Sequence, residues 1–158
     1  MWRLFYNILL LVVSPLIVAV LLAKRRCRPG LLQRLGLKNS LSGLSGRRDR
    51  PTRPDRPDRQ DGLDRPAQPV IWIHAVSLGE VVAVTPLVNE LHRRHPAYRL
   101  VVSTVTETGR EAVEQRLAGV ADHCYAPLDF PWVVSRFIER LQPRLYLFVE
   151  TELWPNLL

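Results

Sequence analysis

Residues 47–69, RRDRPTRPDRPDRQDGLDRPAQP, decide where a chain of 158 residues can fold. Arg, Pro and Asp alternate there with almost no apolar side chain, so the segment has nothing to bury. Proline fixes φ and removes a donor while the charges stay hydrated, which predicts an extended, polyproline-like linker. A core must therefore form outside it. The total length allows one ordinary domain.

Ahead of the linker, Leu4 to Ala23 is a run of 20 uncharged residues interrupted only by Asn7, Ser14 and Pro15. As a helix it covers about 30 Å, the thickness of a bilayer core. Trp2 and Tyr6 are amphipathic aromatics suited to the headgroup level, and Lys24, Arg25, Arg26 and Arg28 follow the run at once. The positive-inside rule then predicts residues 1–23 as an N-terminal membrane helix with everything after it in the cytoplasm. A helix lying in the interface, kinked at Pro15, is the alternative. A cleaved signal peptide fits poorly, because the charge follows the apolar run and no small-residue cleavage site precedes it. Residues 24–46, with Leu31, Leu32, Leu35 and Leu37 among Arg34 and Lys38, read as a basic amphipathic segment next to anionic lipid.

The net charge of +7 is unevenly placed. Residues 1–69 carry 14 Lys/Arg against 5 Asp, whereas residues 70–158 carry 8 Arg against 10 acids. A folded nucleic-acid module would hold its basic face inside its own domain, so no nucleic-acid partner is expected. Two cysteines, Cys27 and Cys124, cannot build a disulfide framework or a four-ligand zinc site. No cluster has ligand spacing, and neither a metal nor a resident cofactor is expected.

From residue 70 to 158 strand-like and helix-like segments alternate. Residues 70–76 (VIWIHAV), 99–105 (RLVVSTV) and 144–150 (RLYLFVE) are apolar runs of buried-strand length, with 122–126 (DHCYA) a weaker fourth. Val81, Val84, Leu87, Val88 and Leu91 recur at helical spacing between them, as do Val113 with Leu117 and Phe137 with Leu141. The alternation predicts an α/β fold with a parallel sheet.

Ligands of such sheets bind outside the carboxyl ends of the strands, and three motifs fall there. In HAVSLGE (74–80), Ser77 and Gly79 supply a cap and a pliant turn, and Glu80 lies in the first helical turn. That Glu either completes the helix start through the dipole or serves a site. His74 reads first as a hydrogen-bonded core residue. In TVTETG (104–109), Thr106, Thr108 and Gly109 either cap a helix or present hydroxyls and amides to a phosphate; no P-loop or G-x-G-x-x-G pattern accompanies them. In FVETELWPNLL (148–158), Glu150 and Glu152 end a strand, so that Glu150 and Glu80 are placed to converge on one crevice, and Pro155 is suited to start a further helix. Asp129 with Phe130 and Pro131, in PLDFP, reads as a turn and helix entry.

Taken in order, the uncharged helix, IWIHAVSLGE, VVSTVTETG, HCYAPLDFP and FVETELWPNLL resemble the N-terminal half of the 3-deoxy-D-manno-octulosonic acid (Kdo) transferases. The likeness covers the chain outside residues 39–69, the linker resembling an insertion. It implies the N-terminal, acceptor-binding Rossmann-like domain of a GT-B glycosyltransferase, one that transfers Kdo from CMP-Kdo to lipid A precursor on the cytoplasmic face of the bacterial inner membrane. It further implies Glu80 as the general base that deprotonates the acceptor hydroxyl and Glu150 as a supporting acid. Ser77, Gly79, Thr106, Thr108, Gly109 and Glu152 would contact substrate, and CMP-Kdo would be bound chiefly by a C-terminal domain. No such domain follows Leu158, so the sequence is expected to be a fragment or a truncated product, inactive alone. A non-enzymatic membrane-tethered module, and a GT-B transferase for another lipid-linked acceptor, are the remaining expectations.

Overall fold

The computed structural model of the protein describes residues 2–23, 34–35, 68–150 and 154–157, and within 2–23 the side chains of Phe5 to Pro15. The basic segment 24–46 (apart from 34 and 35), the linker up to residue 67, and Glu152 lie outside the described residues.

Helix α1 runs from Trp2 to Ala23, continuous through Pro15. The α/β part follows as β1 (Val70–His74), α2 (Leu78–Arg94), β2 (Arg99–Thr104), α3 (Glu107–Arg116), β3 (Asp122–Tyr125), α4 (Pro131–Leu141) and β4 (Pro143–Phe148). The four strands form one sheet in the order β3-β2-β1-β4, and every pairing is parallel. Parallel neighbours need a crossover, which is why a helix separates each strand from the next.

The pleat sends successive side chains to opposite faces, and two cores result. Ile71, Ile73, Leu100 and Val102 meet Val81, Val84 and Val88 of α2 and Ala112, Val113 and Leu117 on the α3 side. On the other face Val70, Trp72 and Val101 meet Val134, Phe137 and Leu141 of α4. The Trp72 ring lies 4.8 Å from Phe137 and 4.3 Å from Tyr146. Burial on both faces explains the unbroken apolar runs of β1 and β2.

Three elements bear on the sequence reading. The strand expected over 144–150 forms over Pro143–Phe148; among the described residues β1 is its sheet neighbour, and Leu145 and Phe148 are exposed. Pro155 opens a turn over residues 155–157, closed by Leu157 N donating to Trp154 O at 3.0 Å. The helix expected over residues 4–23 forms, but its membrane assignment is not supported: among the described residues no helix is long and apolar enough to cross a membrane.

Candidate active site

The loops at the carboxyl edge of the sheet are stitched by backbone hydrogen bonds. The carbonyl of Val76, just after β1, accepts from Val105 N at 3.0 Å and Thr106 N at 3.2 Å, and from Thr106 Oγ1 at 3.4 Å. Ala126 N donates to Thr104 O at 2.9 Å, and Val149 N to His74 O at 3.0 Å. The connections after all four strands thus form one rim. Glu150, next to Val149, is exposed and has φ 62°, a left-handed conformation that non-glycine residues seldom adopt.

Glu80 sits three residues into α2 and is buried. Its Oε2 accepts from Val76 N and its Oε1 from Ser77 Oγ, both at 2.8 Å. Ser77 holds the N-cap position without a side-chain cap bond; its hydroxyl donates to Glu80 instead of accepting from the helix, a difference from the expected cap. The carboxylate reaches back to the loop much as in a capping box. Each of its oxygens accepts one protein bond and keeps a second lone pair, since a carboxylate offers about four acceptor sites.

The two glycines differ. A Cβ on Gly109 would lie 3.0 Å from Thr106 Oγ1 and 3.1 Å from Thr104 Cβ, so glycine lets α3 approach β2. A Cβ on Gly79 would meet nothing nearer than Ser77 Oγ at 4.0 Å. The space beside Gly79 at the exposed start of α2 is open; that beside Gly109 is filled by the protein itself. Thr106 caps α3 by accepting from Gly109 N at 3.1 Å. Thr108 is exposed, with its hydroxyl 3.4 Å from Thr106 Oγ1.

Beside this rim lies a charged node that the motifs did not single out. Glu107 accepts from Arg110 Nε at 2.6 Å and from the Tyr125 hydroxyl. Arg110 above all, and Tyr125, hold the Glu107 carboxyl below the usual carboxylate range. Burial, reinforced by Arg110, pulls His123 down to about 4, so it is neutral at pH 7. His123 Nε2 lies 2.9 Å from Thr104 Oγ1. The guanidinium of Arg34 donates to Val105 O and lies 4.8 Å over the Tyr125 ring. The i, i+3 spacing of Glu107 and Arg110 was the one local signal for this node; nothing local announces Arg34 or Tyr125.

His74 is fully buried, with Nδ1 2.9 Å from Ser103 Oγ, the oxygen that accepts from Trp72 Nε1 at 2.8 Å. It is a core residue, as read from its strand setting. Trp154 covers it edge-on at 5.3 Å. Among the described residues no group of three or more His, Cys, Asp or Glu is placed to hold a metal ion.

A family model described as 3-deoxy-D-manno-octulosonic-acid transferase (kdotransferase) matches residues 42–158. The chain belongs to the Kdo transferase family. It is 38% identical to a 3-deoxy-D-manno-octulosonic acid transferase of Haemophilus influenzae, in a match covering 100% of the chain and 33% of that protein. A transferase of the same name from Bordetella pertussis is 41% identical over 59% of the chain and 22% of its own length. A probable mitochondrial one from Arabidopsis thaliana is 35% identical over 60% of the chain and 21% of its own length. The chain thus spans a third or less of these Kdo transferases.

Proposed function

We propose that the chain is the acceptor-side part of a glycosyltransferase that moves Kdo from CMP-Kdo to a lipid A precursor in lipopolysaccharide synthesis. Membership of the Kdo transferase family supports the donor sugar. The observation that carries the site is the Glu80 carboxylate, fixed at the carboxyl edge beside the open space at Gly79. In the proposed reaction an acceptor hydroxyl oxygen attacks the anomeric carbon of Kdo, the bond from that carbon to the CMP phosphate breaks, and the hydroxyl proton passes to Glu80. CMP leaves with the bonding electrons. Glu150 supports the developing charge from the neighbouring loop, and Ser77, Gly79, Thr106, Thr108 and Glu152 line the acceptor site, while Gly109, whose free side is filled by Thr104 and Thr106, lets α3 pack against β2 behind them. CMP-Kdo is held chiefly by further protein outside these residues, so residues 1–158 alone are inactive.

The proposed location is the cytoplasmic face of the inner membrane, where a lipid-borne acceptor resides; the uncharged residues of α1 and the basic residues after them support it. One observation favours a non-enzymatic membrane-tethered module: both Glu80 oxygens already serve the helix start. A transfer assay separates the two. A protein carrying these residues together with the donor-binding part should form Kdo-lipid product from CMP-Kdo and lipid A precursor, and residues 1–158 alone should not. Absence of product from the longer protein overturns the transferase reading, and product from residues 1–158 alone overturns the division of labour.

A further inference from the structure

The polar residues that interrupt α1 are used. The Tyr6 hydroxyl donates to Asp129 Oδ2 at 2.8 Å, and Asn156 Nδ2 donates to Asn7 Oδ1 at 2.9 Å. Asp129 is 9% exposed, and each of its carboxylate oxygens also lies 3.2 Å from Asn156 N. Asp129 belongs to the connection between β3 and α4, and Asn156 to the turn that follows β4. The N-terminal end of α1 is therefore fastened to the carboxyl edge of the sheet, the edge that carries Glu80. The chain returns to that edge after α1: Leu128 N donates to Arg34 O at 3.0 Å, and the Arg34 guanidinium donates to Val105 O.

These contacts exclude a crossing. A helix spanning a hydrocarbon core of about 30 Å sets its two ends on opposite sides of the membrane. With Tyr6 bound to Asp129, the far side would have to hold Ala23. Only residues 24–33 then link Ala23 to Arg34, and four of those ten are basic. A helical return needs about 20 mostly apolar residues, an extended one leaves backbone groups unpaired in lipid, and charges at that depth are strongly disfavoured. Both ends of α1 lie on the side of the α/β domain.

We propose that Asp129 and Asn156 form a latch holding α1 in the plane of an anionic phospholipid bilayer, with the carboxyl edge of the sheet against the lipid surface. The proposal rests on the membrane reading above and adds the orientation. Phe5, Ile8, Leu9 and Val12 are exposed at helical spacing and form one apolar face, while Tyr6, Asn7, Leu10 and Val13 are half-buried on the other. The basic residues that follow α1 complement anionic headgroups. An acceptor hydroxyl at headgroup level is then within reach of the rim, and Asp129 acts as a positioning residue.

The test uses the full protein in cells, wild type and Arg3→Cys, labelled with a membrane-impermeant maleimide in spheroplasts and in inverted inner-membrane vesicles. Cys27 reports the other end of α1. Cys124 gives no background, being buried, with burial pushing its thiol up to about 12. The expected result is labelling of both Cys27 and the thiol introduced by Arg3→Cys in inverted vesicles, and of neither in spheroplasts. Labelling of the position-3 thiol from spheroplasts means that α1 crosses, and overturns the proposal. Recovery of the protein in the soluble fraction overturns the membrane reading itself. Adding Asp129→Ala should speed labelling of the position-3 thiol in inverted vesicles by on the order of tenfold, the factor for loss of a hydrogen bond to a charged group. An unchanged rate overturns the latch.

Discussion

Gly79 and Gly109 look alike in sequence, each opening a helix after a strand, yet their surroundings differ. Gly109→Ala puts a methyl 3.0–3.2 Å from Thr106 and Thr104 side-chain atoms, and should lower stability by about 1–3 kcal/mol, the range for overpacking. Gly79→Ala enters open space and should leave the urea midpoint nearly unchanged or slightly raised, since alanine is the better helix former by up to about 1 kcal/mol. If a sugar approaches the α2 start there, the same methyl lowers Kdo transfer through a higher KM. The contrast was not legible in sequence, because the spacing of a glycine does not say whether protein or ligand fills the room beside it. The same limit held for Asp129. The turn and helix entry read from PLDFP form, with Phe130 and Pro131 opening α4, but the hydrogen-bond partners of Asp129 are 27 and 123 residues away and nothing local announces them.

His123 carries a pH dependence. Its pKa is about 4 in the folded chain, against an ordinary 6.5, so the unfolded chain binds its proton first as the solution is acidified. The stabilisation is complete above pH 6.5 and is lost as pH falls from 6.5 towards 4. Urea unfolding followed across that range should show the midpoint falling, and His123→Gln should flatten that part of the profile.

At the scale of elements, periodicity identified what packing imposes. β1 and β2 were legible because burial on both faces demands an apolar residue at every position, and α2 because its inward stripe repeats at 3.6. β4 was legible from the same kind of apolar run and pairs with β1, although among the described residues Leu145 and Phe148 are exposed. Helix starts were legible as positions rather than as chemistry. Thr106 caps α3 and also donates to Val76 O, whereas Ser77, in the equivalent place on α2, serves Glu80. Thr106→Ala should therefore destabilise by about 1 kcal/mol, the ordinary value of a cap, and loosen the joint between the loops after β1 and β2. Amide hydrogen exchange at Val105 and Thr106, both bonded to Val76 O, should quicken more than exchange in β1.

On the scale of the whole molecule, the tyrosines report where the chain is closed. Burial, aided by Asp129, pushes Tyr6 up to about 12, and burial likewise raises Tyr125 and Tyr146 to about 12. A raised acid pKa favours the protonated folded form, so this stabilisation is present below pH 10 and is lost as pH rises from 10 towards 12. Absorbance titration should show Tyr6, Tyr125 and Tyr146 ionising late, and Tyr6→Phe should remove one late step while leaving the fold intact.

The central claim is that Glu80 is a base and more than the start of α2. It is tested most directly by measuring Kdo transfer and thermal stability together for Glu80→Gln and Ser77→Ala, each in the longer protein that includes the donor-binding part. Glu80→Gln should lower kcat by about 10²–10⁴-fold, the span of general-base catalysis, with Tm within a few degrees of wild type. Ser77→Ala should move stability by a similar small amount and reduce kcat far less. Equal, small effects of both substitutions on transfer would contradict the claim and leave Glu80 as a helix cap.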